Sequence, residues 1–252
     1  LQSIANNCPH LRSLDITVNF IAVYDLTAFA EKCPQLEELS LNCQQLTDQS
    51  VVIAIAQHCS RLKKLKLNQC KFTATFAEIA AQCAHALSQL FRLSTVNYLD
   101  DEIMVDYSNA IQYMTGLREI ELSDSWDHLL VPHLLLLLEQ CCAGLERLTI
   151  YSDSSITPEQ ICELVVRCCN LKILSISKST CISDAVIVVL ASSCPHLQEI
   201  TLNSSEMTEE GVLALAAHCR QLREIHVSYT ALTEETVRQL AYRCPHLTKL
   251  RV

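Results

Sequence analysis

One pattern limits what this chain can become: L-x-x-L-x-L returns along its whole length, usually with a cysteine three residues ahead of it. The anchoring leucines are Leu11, Leu36, Leu62, Leu87, Leu117, Leu145, Leu171, Leu197, Leu222 and Leu247, spaced 25 to 30 residues apart. Self-similarity at a fixed period of roughly 20 to 50 residues marks a stack of small units, each unable to bury its apolar face alone. Near Leu87 the register is ambiguous, because Leu90 and Leu93 serve equally well as anchors.

Each unit reads the same way. In C-P-Q-L-E-E-L-S-L, Leu36, Leu39 and Leu41 alternate with polar residues at the period of a strand whose side chains point to opposite faces. A second signal follows at Leu46-Thr47-Asp48, Ile182-Ser183-Asp184, Met207-Thr208-Glu209 and Leu232-Thr233-Glu234. There a hydroxyl can cap a helix, and the acid suits the positive end of the helix dipole. Apolar residues at helical spacing, such as Val212, Leu215 and Ala216, then run to Cys219. One repeat is one strand plus one helix. Cys8, Cys33, Cys59, Cys142, Cys168, Cys194, Cys219 and Cys244 share one position, where a small buried thiol fits.

The expected fold class is therefore α/β: a single curved solenoid over 1–252 of about ten units, with a parallel sheet on the concave face and helices on the convex face. Leu1, Ile4, Ala5 and Cys8 match the last helical turns of a repeat, and Val252 closes a strand. The chain is expected to be a slice of a longer solenoid, both ends cut within a repeat.

The unit C-P-H-L-Q-E-I-T-L-N-S-S-E-M-T-E-E-G-V-L-A-L-A-A-H-C (194–219) resembles the cysteine-containing leucine-rich repeats of F-box substrate receptors. The resemblance covers essentially all 252 residues, and its motif positions are structural. It implies a protein-binding module whose repeats hold a substrate, with Skp and cullin ligase components as partners through an F-box lying outside this chain. Repeats of this subclass also occur in scaffold and regulatory proteins without an F-box, which is the alternative reading.

Composition and motif spacing narrow the chemistry. A net charge of -9 argues against nucleic acid, since phosphate binding needs clustered Lys and Arg. The apolar run from Leu129 to Leu138 is too short to span a bilayer and contains Pro132 and His133. Fifteen cysteines, an odd count in a chain this long, read as reduced thiols and an intracellular protein. No C-x-x-C pairs support a metal site, and Cys141-Cys142 and Cys168-Cys169 are repeat cysteines with a neighbour. His10, His196 and His246 recur in the C-P-H-L segment, so they are repeat features, not a catalytic set. Three isolated glycines cannot form a phosphate loop. The chain is expected to be no enzyme and to carry no cofactor. A basic pocket for a phosphorylated small ligand is also missing from the middle of the expected concave row.

Residues between the inward leucines should line the concave face: Asp15, Ser40, Lys66, Glu121, Thr149, Ser175, Thr201, His226 and Arg251, beside Asn42, Asn68, Ser123, Tyr151, Ser177, Asn203 and Ser228. Insertions lengthen the repeats between Leu87 and Leu145 and place extra residues on the rim. Trp126, the only tryptophan, and Tyr98 are aromatic anchors there, set among Asp100, Asp101, Asp124, Asp127 and His128. Together with Glu121, Tyr151 and His226 these are the candidate contacts, and their acidity suggests a basic partner segment.

Overall fold

The structure is a computed structural model that describes residues 1–20, 22–43, 50–68, 92–96, 116–123, 142–151, 157–177, 182–203, 207–227 and 231–251. The chain divides into two compact units, Leu1–Leu122 and Ser123–Val252. In the first, α1 (Gln2–Asn7), β1 (Ser13–Thr17), α2 (Val23–Lys32), β2 (Glu38–Asn42), α3 (Ser50–His58), β3 (Lys64–Asn68), β4 (Arg92–Val96) and β5 (Glu119–Ser123) follow one another. In the second, a short 3-10 turn (Cys142–Gly144) leads into β6 (Arg147–Tyr151), α4 (Pro158–Arg167), β7 (Ile173–Ser177), α5 (Asp184–Ser193), β8 (Glu199–Asn203), α6 (Glu209–His218), β9 (Glu224–Val227), α7 (Glu234–Arg243) and β10 (Lys249–Arg251). Within each unit the strands are parallel and ordered as in the chain, β1 to β4 in the first and β6 to β10 in the second, so each of these repeats lays its strand beside the one before.

Register follows the leucines. Leu14, Leu39, Leu65 and Leu93 are paired across β1 to β4, and Leu148, Leu174, Ile200, Ile225 and Leu250 across β6 to β10. Because Leu93 stands opposite Leu65, the anchor matching Leu62 counts back to Leu90, not Leu87. The spacings from Leu62 to Leu117 then become 28 and 27, and the irregularity near Leu87 disappears. A parallel sheet covered by helices on one face buries most inward residues: Leu171, Leu174 and Ile176 of one repeat and Ile187, Leu190 and Ala191 of the next helix are all nearly inaccessible, whereas Leu14 in β1 and Leu250 in β10 are only partly covered. Each such side chain contributes about 1.5–3 kcal/mol of transfer free energy.

Two polar joints hold neighbouring repeats in step. The first uses the repeat cysteine, which sits at the helix C-cap in α1, α2 and α4 to α7. Its carbonyl closes the turn into the strand, as when Leu197 N–H donates to Cys194 O at 3.2 Å. The second lone pair of that carbonyl accepts the next repeat's thiol, Cys219 Sγ to Cys194 O at 3.4 Å. The same contact runs from Cys33 to Cys8, Cys59 to Cys33, Cys194 to Cys168 and Cys244 to Cys219. Several thiols also reach a carbonyl in the preceding helix, Ala191 O for Cys219 and Val165 O for Cys194.

The second joint gives the first-turn acid a larger role than its own helix dipole. Asp184, at the start of α5, accepts from Thr208 N at 2.9 Å, Thr208 Oγ1 at 2.7 Å and Gly211 N at 3.0 Å, so it caps the following helix. Glu209, at the start of α6, repeats this toward Thr233 N, Thr233 Oγ1 and the buried Thr236 hydroxyl. The Thr236 hydrogen bond, with those of Thr233, holds the Glu209 carboxyl below its ordinary value. Thr157, Thr208 and Thr233 cap their own helices, Thr157 in a full capping box with Gln160; Ser183, expected to do the same, makes no such bond.

Gly211 is required by this joint, since a Cβ there would lie 2.5 Å from Asp184 Oδ1 and 2.7 Å from Met207 Cγ. Gly211→Ala should therefore expel the Asp184 carboxylate. Loss of that cap costs about 2–3 kcal/mol, against roughly 1 kcal/mol gained in helix propensity. A lower urea midpoint for the variant is expected; a midpoint equal to or above wild type would show that the Asp184 bridge contributes nothing.

Thiol reactivity reports on the first joint. Burial pushes Cys59, Cys194 and Cys219 up to about 12, and raises Cys33 and Cys244 in the same direction. With a thiol reagent at pH 8, exposed Cys8 and Cys169 should label first, and Cys33, Cys59, Cys194, Cys219 and Cys244 only on unfolding. Early labelling of Cys194 or Cys219, located by mass spectrometry, would contradict the ladder.

Candidate functional site

The uncovered face of each sheet carries the polar residues that alternate with the buried leucines. In the first unit Asp15, Ser40, Lys66 and Ser94 stand side by side in register. Asp15, Ser40 and Lys66, with Ser13, Glu38 and Lys64, line a shallow depression of about 260 Å³ across β1 to β3, together with Leu14, Leu39 and Leu65. Lys64 is answered by Glu38 at 2.6 Å, and Glu37 is held below its ordinary value chiefly by the hydrogen bond from Lys63 at 2.8 Å. Glu121, half-buried, occupies the central position of β5.

In the second unit Thr149, Ser175, Thr201, His226 and Arg251 form the matching row. Thr149 and Ser177 turn out to be nearly buried, at 9 % and 8 % exposure, so the free surface shifts toward Ser175, Thr201, His226 and Arg251. Tyr151 closes β6 in register with Ser177. Beside the row, Glu224 binds Lys249 at 3.0 Å, and that hydrogen bond is the main reason its carboxyl sits below the ordinary range.

Among the described candidates, His226 has a perturbed titration. Its Nε2 is shielded from solvent without a hydrogen-bond partner, and the Glu224 carboxylate is 3.6 Å away, beyond hydrogen-bond length. Burial, with Lys249 and Arg251 nearby, lowers its pKa from 6.5 against the opposing pull of Glu224 and Glu199. The imidazole is therefore neutral at pH 7.

Tyr98, Asp100, Asp101, Asp124, Trp126, Asp127 and His128 lie outside the described residues. Periodicity alone did not single out the exposed aromatics Phe20, Tyr24 and Tyr242; the first two are 65 % and 68 % exposed. Phe20 and Tyr24 flank Ile21-Ala22-Val23, which replaces the usual apolar-Thr-acid helix start, and Ala22 provides no side-chain cap. That replacement was the available signal. Among the described residues, no group of three or more His, Cys, Asp or Glu could hold a metal ion, and no helix is long and apolar enough to cross a membrane.

A parallel strand-plus-helix stack with anchored leucines, a cysteine ladder and a polar sheet face defines a leucine-rich repeat protein, and the chain belongs to that class. The family model described as Leucine Rich repeat matches residues 193–216. A Transport inhibitor response 1-like protein of Oryza sativa subsp. japonica is 30 % identical over 226 residues, covering 84 % of this chain and 37 % of the relative. GRR1-like protein 1 of Arabidopsis thaliana is 27 % identical over 229 residues, with the same 84 % and 37 % coverage. The chain thus spans little more than a third of the length of these curated relatives. In fold it is similar to a chain of the yeast Rad7 and Elc1 complex, with a TM-score of 0.65 and 22 % identity over 99 % of this chain and 64 % of that one.

The His226 shift carries a stability consequence. Its folded pKa is depressed, so as pH falls below about 6.5 the unfolded chain binds the proton first. Stability present above 6.5 is lost as pH drops through the folded value. An NMR titration should place His226 below 6.5, and His226→Gln should flatten this part of the stability profile; a value at or above 6.5 would contradict the environment described.

Proposed function

We propose that this chain is the ligand-holding repeat region of an F-box-type substrate receptor, presenting a bound protein to Skp and cullin ligase components and catalysing nothing itself. The observation that carries this reading is the register of the polar rows. Asp15, Ser40 and Lys66, and likewise Ser175, Thr201, His226 and Arg251, stand in register on adjacent parallel strands. Strand spacing of about 4.8 Å makes each row a ruler of donors and acceptors that matches a peptide or protein surface, and none is coupled into a nucleophile-and-base pair. The similarity of the repeats to those of F-box receptors, and of the chain to the two plant relatives, supports the receptor role. Thiols that hold the stack as hydrogen-bond donors must be reduced, which supports an intracellular setting.

Tyr98, Asp100, Asp101, Asp124, Trp126, Asp127 and His128 belong to the proposal as partner contacts, as do Glu121, Tyr151 and His226 on the strands. The scaffold reading draws on a different observation: Val166, Val188 and Val237 are exposed on the outer helices, where an assembly neighbour could cover them.

The test is affinity capture with the full-length protein, comparing wild type with Lys66→Glu, His226→Glu and the double variant Trp126→Ala, Asp127→Ala. Skp and cullin components together with a protein lost from at least one of these variants are expected. A single stoichiometric assembly free of ligase components and indifferent to all three would overturn the receptor reading in favour of the scaffold.

A further inference from the structure

A groove at the C-terminal ends of α6 and α7 stands apart from the polar sheet face. It measures about 710 Å³, with Ala216 and Ala217 at its base and Arg220, Tyr242, Arg243 and His246 around it. Tyr242 is 87 % exposed, more than any other large apolar side chain among the described residues, and Ala216 is fully buried. An aromatic wall beside an alanine floor fits one apolar side chain from outside.

The charge around it is one-sided. Residues 192–198, 216–223 and 241–248 contain no Asp or Glu, although the chain has 28 acids against 19 Lys and Arg. They contain His196, His218, Arg220, Arg223, Arg243 and His246. In two earlier runs, Arg12, Glu37, Lys63 and Arg118, Glu146, Lys172, the residue after the anchor leucine alternates in sign, giving the ion pairs Arg12–Glu37–Lys63 and Glu146–Lys172. In the last three repeats that position holds Gln198, Arg223 and Thr248, so the alternation stops and the cations gather without carboxylates. The helix dipole favours His218 and Arg243 in the final turns of α6 and α7, but its partial charge of about one half leaves exposed guanidinium groups free to take a carboxylate.

From this juxtaposition we propose that the α6–α7 groove docks an acidic segment of a partner protein, one apolar side chain against Ala217 and Tyr242, with flanking carboxylates on Arg220 and Arg243. Guanidinium forks match carboxylates in bidentate geometry, which a strongly hydrated ammonium does not. Two arginines are too few for a polyanion to bind through counterion release, and the net charge of -9 opposes a nucleic acid approaching the whole chain.

A positional-scanning library of fluorescent dodecapeptides, read by anisotropy on the intact chain, tests this. Peptides with Asp or Glu flanking a Leu or Phe should be enriched. Their binding should weaken about tenfold or more in Arg220→Glu, Arg243→Glu and fall in Tyr242→Ala, exposed positions where the fold, checked by circular dichroism, should stand. It should be unchanged in Lys66→Glu and His226→Glu, so this proposal and the sheet-face reading fail separately. No acidic preference in the library, affinity indifferent to Arg220 and Arg243, self-association through Tyr242, or displacement of the peptide by inorganic phosphate or by vesicles of anionic lipid at equal charge would each overturn it.

Discussion

The fold depends on a carbonyl that accepts twice. At each described helix exit the backbone oxygen of the repeat cysteine closes its own turn, and in most repeats it also receives the thiol of the following repeat. A buried carbonyl left with one bond is tolerable, but a helix end without partners is costly in a dry core. The thiol is small enough to reach that carbonyl without opening the leucine packing, and burial keeps its proton in place to be donated. Serine would need a stronger, better-aligned hydrogen bond in the same space, and alanine would leave the second lone pair unused.

Because this joint and the Asp184 and Glu209 bridges both act between neighbours, stability accumulates locally along the stack. The strands inherit their register from it. Polar side chains that would be scattered on an isolated strand become straight rows, and the spacing of those rows is set by the backbone ladder rather than by the side chains themselves. The sheet face can then vary in sequence without disturbing the scaffold beneath it, which is why Asp15, Lys66 and His226 can differ at equivalent positions.

Much of this was legible in the residues. The leucine period, the alternation in each strand and the shared cysteine position state the topology, because all three obey strict geometric periods. The anchor near Leu87 was misplaced because three leucines compete there and only the pairing of Leu93 with Leu65 decides among them. The double use of Asp184 was hidden for another reason: a capping acid and a bridging acid look alike in sequence, and only the position of the next helix tells them apart. Of the candidate contacts, the strand residues could be placed in register, whereas crowding that buries Thr149 and Ser177 depends on neighbours that periodicity does not specify.

The Asp184 bridge has a further consequence. At the α5–α6 and α6–α7 junctions the joint has two halves, an acid in one repeat that reaches forward and accepts, and a threonine or glycine in the next that donates to it. Copying or deleting one whole repeat restores both halves at the new junction, while adding a single residue inside a repeat separates them. A chain built this way can change length in steps of one module, and the grammar of its joints sets the size of the step.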